Sequence, residues 1–229
     1  MDMLMGDKIA EANLTDWRKL AQGLHARYVV NDFSTGARFI TAVGVAGDEA
    51  GHHPSVSMGT GYIDLKLITD DAIYRDDDGT EHVVAWPTQQ DVDLARRITE
   101  IAADHGLAAD PSSVSQFELG LDTPNAAAIA PVWAALLTGN PSSGDEVRDA
   151  TGQVPNLWFG SADVDEAPPQ RFHVEIYVAP EEAEQRIAAA VAAGGTVVDD
   201  SNAPSQTVIA DQDGNTGILC VEIWGVETD

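Results

Sequence analysis

Two adjacent histidines followed by a proline, His52, His53 and Pro54, are the residues of this chain best suited to chemistry. An imidazole titrates near neutral pH, so it can both donate and accept a proton. Pro54 prevents an ordinary helix from running through His53, because its ring disfavours the helical conformation of the residue before it. The pair is therefore expected in a half-exposed loop, where it either transfers protons or is simply solvated.

The neighbouring patterns indicate which elements hold this loop. Residues 34–51 repeat apolar positions at helical spacing after Ser34, and residues 61–69 alternate as a half-buried strand does. Residues 72–86 read as a hairpin that turns at 77–79, and Thr88 begins a strong helix that ends near Gly106. Upstream, residues 13–24 also have helical spacing, with Leu14, Trp17 and Leu24 on one face.

The order of these residues and elements resembles the pterin-4a-carbinolamine dehydratase family between residues 16 and 98. The family pattern places a Trp-bearing helix, a strand, an acid-rich stretch and His-His-Pro in this order, followed by a strand and a helix that opens with Asp. The matching residues are Trp17, Asp32, Phe33, Ala37, Phe39, Asp48, Glu49, His52, His53, Pro54, Thr69, Asp91, Leu94, Ala95 and Ile98.

That resemblance implies an α+β fold in which helices cover one face of an antiparallel sheet. It also implies a hydro-lyase (lyase) reaction on a pterin-like small molecule: 4a-hydroxytetrahydropterin loses water to give the quinonoid dihydropterin, and neither metal nor cofactor is required. By the family pattern, His52 and His53 form the acid/base pair, with neither role assigned to one of them, and Asp48 is a supporting carboxylate. The same pattern makes Asp70 a catalytic position and puts Pro54, Glu49 and Asp91 at the substrate.

The chain departs from the family pattern in three places. The family's Thr-His is Thr69-Asp70 here, the aromatic residue six positions after the proline is Thr60, and the hairpin replaces a short loop. Asp70 could act as a base or orient a histidine, and His82 on the hairpin could reach towards the site.

A Pro- and Ser-rich stretch over residues 107–114 divides the chain, because the strand–helix pattern restarts behind it. We expect a flexible segment at 1–11, a first domain at 12–108 and a second at 114–229. In the second, two units of strand, helix and strands follow each other, and the last hairpin turns at 213–215.

The second half resembles the glyoxalase/bleomycin-resistance/dioxygenase-like family, the vicinal oxygen chelate fold, through residues 171–222 and the "ADQDGN" turn. The resemblance implies paired βαβββ modules that form a cup, in which active members bind a divalent metal. Position by position, it carries the metal ligands to Gln116, His173 and Glu222, while the fourth position falls on the apolar stretch 157–159. A divalent metal is thus possible, although we expect the cup to be metal-free as isolated.

The charge limits the classes of partner. Thirty-eight acidic residues against 12 basic ones give a net charge of -26. Nucleic acid and anionic membrane surfaces are therefore not expected as partners, because both are bound through clustered Lys and Arg. The single cysteine, Cys220, and an N-terminus unlike a secretory signal favour a cytoplasmic location. The acidity could reflect solubility or a high-salt habitat, and a homo-oligomer is possible.

Two functions remain open from the sequence. The first is a pterin dehydratase fused to a glyoxalase-like partner domain of unknown substrate. The second is a non-catalytic small-molecule binding protein that retains two enzyme-like cups.

Overall fold

The computed structural model describes residues 1–138, 146–149, 151–161, 171–210, 212, 214 and 216–222. The chain forms two compact units, the first spanning residues 1–114 together with Glu222 and the second spanning residues 115–221. Within the described ranges, no helix is both long and apolar enough to span a membrane.

The first unit alternates helices with short antiparallel strands. Its elements are α1 (Gly6–Glu11), β1 (Trp17–Leu20), β2 (Gly23–Val29), α2 (Phe33–Ala50), β3 (Ser55–Gly59), β4 (Tyr62–Leu67), β5 (Thr69–Arg75), β6 (Glu81–Trp86), α3 (Gln89–Asp104) and β7 (Ala108–Ala109). The strands β1, β2, β4 and β3 lie side by side in that order, β7 pairs with β2, and β5 and β6 form a separate hairpin.

Helices α2 and α3 pack on one face of this sheet. Phe39 and Val43 of α2 and Ile98 of α3 join the strand residues in one buried cluster, in which Leu24 and Leu65 are also almost fully enclosed. Strand residues between these positions face away from the helices, because successive side chains of a strand point to opposite faces. The predicted arrangement, helices on one face of an antiparallel sheet, is confirmed.

The helix predicted over residues 13–24 is wrong. Those residues form the β1–β2 hairpin, in which Leu20 pairs with Gly23 across a two-residue turn and Ala21 takes a positive φ of 47°. Trp17 is buried in either geometry, so its place in the apolar stripe did not distinguish helix from strand. Pairing with β2 along four residues satisfies the backbone groups that a helix would have satisfied internally.

Residues 1–11, which we predicted to be flexible, make defined backbone contacts in the structure. Met3 N donates to Ile73 O at 3.0 Å, Leu4 N donates to Pro87 O at 2.8 Å, and helix α1 follows directly. The predicted linker at 107–114 is likewise held in the first unit, because β7 pairs with Tyr28 and Val29 of β2.

The described residues of the second unit form one seven-stranded sheet with a helix in each half. Its elements are β8 (Ser115–Asp122), α4 (Ala126–Thr138), β9 (Glu146–Val147), β10 (Asn156–Gly160), β11 (Phe172–Val178), α5 (Ala183–Ala192), β12 (Thr196–Asp199), β13 (Gln206–Ala210) and β14 (Thr216–Val221). The strand order is β12-β13-β14-β11-β8-β10-β9.

The two halves of this sheet repeat each other. Each opening strand pairs in parallel with the last strand of its half, β8 with β10 and β11 with β14, and β8 and β11 pair antiparallel at the centre. Three strands follow the helix in the second half, and two follow it in the described part of the first half, where residues 139–145 lie outside the description. The α+β class with paired strand–helix–strand modules is confirmed. The predicted turn at 213–215 lies largely outside the described residues.

Candidate active site

The histidine pair lies at the C-terminal end of α2. Gly51 takes the left-handed conformation with φ 64°, Gly51 N donates to Asp48 O, and His52 N donates to Gly47 O at 3.1 Å. This pairing is the Schellman ending of a helix, for which glycine is favoured because it has no Cβ. The helix end therefore fixes the position of the His52 backbone, and the chain continues through Pro54 into β3.

His52 is held by a buried carboxylate. Its Nε2 lies 2.7 Å from Asp91 Oδ1, and the Asp91 side chain is 0% exposed. The other carboxylate oxygen of Asp91 accepts hydrogen bonds from Thr69 Oγ1 at 2.6 Å, from Thr88 N at 2.8 Å and from Thr88 Oγ1 at 3.2 Å. Asp91 thus joins the last turn of α2, the start of β5 and the first turn of α3.

The charge state of Asp91 follows from these contacts. Burial alone raises the pKa of its carboxyl, but hydrogen bonds from His52, Thr69 and Thr88 outweigh burial, so the pKa lies below its ordinary value. An ionised carboxylate is only an acceptor, so His52 Nε2 must carry the proton of the shared hydrogen bond. In a neutral ring that leaves His52 Nδ1 as the basic nitrogen.

His53 is arranged by the same helix end and is more open. Its Nε2 lies 2.9 Å from Asp48 Oδ1, and its side chain is 56% exposed, against 14% for His52. The ring lies against Gly47, where an added Cβ would come within 2.7 Å of His53 Cδ2. The two imidazoles therefore differ in surroundings, one fixed on a buried acid and one at the surface beside an exposed acid.

Asp70 lies on an irregular and exposed part of β5. Residues 69–72 of β5 contain a register irregularity against β6, and Asp70 and Asp71 are both exposed while Thr69 and Ala72 are buried. The histidines are bonded to Asp91 and Asp48. A bulge of this kind redirects side chains, and here it turns the buried Thr69 hydroxyl towards Asp91.

The remaining predicted positions lie around the helix end. Pro54 is half-buried at the entrance to β3, and exposed Glu49 borders a cavity of about 330 Å³ between α2 and α3 that also touches Arg97 and His105. Asp91 was predicted at the substrate, but its carboxylate is fully buried among protein donors, so it holds His52. His82 does not reach the pair, since its Nε2 bonds Asp76 Oδ2 at 3.0 Å.

Sequence reasoning gave no role in the site to Thr69, Thr88 or Gly47, although Thr69 matched the family pattern and Thr88 was predicted to begin a helix. Thr88 and Asp91 form a capping box at the start of α3, and Thr-x-x-Asp before an apolar run is a readable signal for such a box. Nothing in the sequence indicated that the acid of this box would also bond a histidine.

The predicted metal ligands do not converge. Gln116 pairs with Tyr177 and His173 pairs with Gly120 on β8 and β11, so the two lie about 13 Å apart along the strands. Gln116 Nε2 turns to Phe117 O, and Glu222 lies in the first unit with its Oε1 3.3 Å from Lys19 Nζ. Across the described ranges, no three His, Cys, Asp or Glu side chains are grouped to hold a metal ion. These residues do not fit the metal centre that the fold family implies.

Comparison with known families matches each half of the chain separately. Residues 3–101 match the family model described as pterin 4 alpha carbinolamine dehydratase, and residues 118–220 match the one described as glyoxalase-like domain. Both resemblances read from the sequence are confirmed.

Curated relatives cover the first half. A protein of Thermosynechococcus vestitus named "Putative pterin-4-alpha-carbinolamine dehydratase" is 29% identical over 91 residues, which is 40% of this chain and 83% of that protein. A protein of the same name from Halobacterium salinarum is 27% identical over 96 residues, 42% of this chain and 92% of that protein. A crystal structure titled transcriptional coactivator/pterin dehydratase from Brucella melitensis aligns with a TM-score of 0.36 and 21% identity, covering 44% of this chain and 99% of that one.

Proposed function

We propose that the first unit is a hydro-lyase that removes water from a 4a-hydroxytetrahydropterin and releases the quinonoid dihydropterin. The observation that supports this most directly is the pair of differently held imidazoles, His52 on buried Asp91 and His53 beside Asp48. The family match over residues 3–101 supplies the substrate class.

The reaction needs two proton transfers and no change of oxidation state. The leaving 4a-hydroxyl must gain a proton to depart as water, and a ring N–H must lose one so that the electron pair can form the new double bond. Side chains that titrate near neutral pH suit both tasks.

We assign the base to His52 and the acid to His53. His52 Nε2–H donates to Asp91, which leaves Nδ1 to accept the ring proton, and the buried carboxylate stabilises the imidazolium that forms. His53 is exposed next to Asp48, so its protonated ring can be replenished from solvent after it gives a proton to the hydroxyl.

Single alanine variants of the two histidines test the assignment. His52→Ala and His53→Ala should each lower the dehydration rate above the spontaneous background by about 10²-fold or more. His82→Ala is the matched control, because that histidine also bonds an aspartate but belongs to strand β6 of the β5–β6 hairpin. The assignment fails if the unaltered protein is active and either histidine variant keeps the control's rate.

Asp70 favours a second candidate, a protein that binds pterins without turning them over. An exposed aspartate stands where the family has its third histidine, so one imidazole of the family pattern is missing from this chain. Equilibrium binding of a stable pterin together with a rate equal to the background would select this alternative.

A further inference from the structure

One face of the second sheet carries a row of polar side chains. Residues that pair across neighbouring strands lie on the same face, so Glu118 of β8 shares its face with Asn156 of β10 and Glu175 of β11. The adjacent rows of this face hold Trp158 with His173, and Tyr177. We call these six residues the polar face.

The opposite face of the same strands is apolar. Leu119, Leu121 and Leu157 point there and pack with Ala134 and other residues of α4 in a separate cluster. The core of the second unit therefore does not need the polar face for packing, and the polar residues require another explanation.

The floor of the polar face is rich in acceptors. Glu118 is 1% exposed and Glu175 is 6% exposed, and the two are direct partners across β8 and β11. The Tyr177 hydroxyl donates to Glu175 Oε2 at 3.0 Å, and Asn156 Nδ2 donates to Glu146 Oε2 at 3.0 Å and to Glu118 Oε1 at 3.4 Å. Glu175 accepts the hydrogen bond from Tyr177, and a buried carboxylate is normally matched by several donors or by positive charge, so Glu175 suits a ligand that brings N–H groups.

Two further buried atoms point the same way. Among the described residues, Asn156 Oδ1 and His173 Nε2 are buried without a hydrogen-bond partner. The amide of Asn156 cannot be turned around, because its oxygen would then face the carboxylates that Nδ2 now bonds. His173 Nε2 lies 3.9 Å from Asp122 Oδ1, beyond hydrogen-bond distance. Buried polar atoms of this kind usually have partners, and a bound molecule would supply them.

A flat aromatic wall lies beside this floor. The rings of Trp158 and His173 are 5.0 Å apart at an interplanar angle of 39°. They lie over Gly120, where an added Cβ would be 2.0 Å from His173 Nε2 and 2.7 Å from Trp158 Cζ2. The missing side chain at Gly120 therefore makes room for the pair, and the two half-buried rings suit stacking against a planar ring.

We propose that the polar face binds the 2-amino-4-oxopyrimidine ring of a pterin. That ring is planar, and its N3–H and 2-amino group point in the same direction, as required to donate two parallel hydrogen bonds to one carboxylate. Glu175 is the carboxylate we assign to this edge, with Asn156 Oδ1 as an additional acceptor. The choice of pterin rests on the function proposed for the first unit, whereas the site rests on the geometry of the second.

Hydrogen–deuterium exchange with two ligands tests the proposal on the full chain. Pterin should protect peptides from β8 and β11, and lumazine, which has an oxo group in place of the 2-amino group, should need at least a ten-fold higher concentration for the same protection. Glu175→Gln should weaken the pterin effect at β8 and β11 at least ten-fold, and Glu184→Gln on exposed α5 is the matched control.

The peptides separate the two proposals. Protection of β8 and β11 without protection of residues 48–58 would support this site and count against the proposed dehydratase. Protection of residues 48–58 alone would do the reverse. Equal protection of β8 and β11 by pterin and lumazine would overturn the inference, and that comparison uses the unaltered chain, so it stands even if Glu175→Gln fails to fold.

Discussion

Replacing Asp91 by asparagine tests the network that holds His52. The carboxylate accepts from His52, from the Thr69 hydroxyl and from two groups of Thr88. The asparagine amide keeps one acceptor oxygen, but its NH₂ group would face the groups that donate to the second carboxylate oxygen. Hydrogen bonds to a charged group contribute about 1.5–3 kcal/mol each, so loss of one to two of them should lower the free energy of unfolding by about 3 kcal/mol.

The same variant should show a defined pH dependence. The pKa of Asp91 in the folded protein lies below 3.8, so its contribution to stability is complete above that pH and is lost as the pH falls through the lower folded value. The difference between wild type and Asp91→Asn should therefore shrink as the pH falls below 3.8.

The difference in the free energy of unfolding of the first unit is measured by urea titration, with hydrogen exchange of α3 peptides as the readout. Asp93→Asn is the matched control, because Asp93 lies on the same helix with its side chain 65% exposed, and it should change stability by less than about 0.5 kcal/mol. A difference for Asp91→Asn as small as the control's, or one that persists undiminished at pH 2, would refute the reasoning.

Three further variants examine the neighbours of the site. Gly47→Ala places a Cβ 2.7 Å from His53 Cδ2 and should lower the dehydration rate. Gly44→Ala is the control: nothing lies within 4 Å of its Cβ, so it should stabilise the protein by about 0.5–1 kcal/mol in thermal melts without changing the rate. Equal rates for the two variants would contradict the packing of His53 against Gly47. Thr69→Val removes a donor to the buried carboxylate, so acid unfolding should begin at a higher pH in a circular dichroism titration, and an unchanged midpoint would count against that bond. Asp70→His should raise the dehydration rate if the missing imidazole limits it, and a loss of rate would show that the aspartate already has its own role.

The sequence predicted the elements whose patterns are long. Helices α2 and α3 each repeat apolar positions over several turns, and the β5–β6 hairpin turns at a glycine, so all three were found close to their observed bounds. The β1–β2 hairpin was missed because β1 has only four residues, too few to show a period of two, while the surrounding apolar residues happen to fit a helix.

The histidine motif of the candidate site could be predicted from the sequence, but the hydrogen bonds that connect it to neighbouring elements could not. His52, His53 and Asp48 follow from the family pattern, but the roles of Thr69 and Asp91 depend on which side chains the β5 bulge and the start of α3 bring together. The two buried glutamates of the second sheet had a sequence signal, since each is the third residue of a matching strand segment, 116–118 and 173–175. The family pattern indicates the first residue of each segment, so it does not point to the glutamates.

The capping box of α3 has a consequence for how this protein would respond to heat and to mutation. The acid that closes the first turn of α3 is the acid that orients His52, so fraying of that turn and misplacement of the histidine are one event. The proposed dehydratase activity should then be lost at temperatures where the rest of the first unit is still folded. Substitutions in the first turn of α3 should affect the dehydration rate and the local stability together. Residues 88–91 would therefore change together in evolution, because a substitution at one of these positions would be tolerated only with suitable residues at the others.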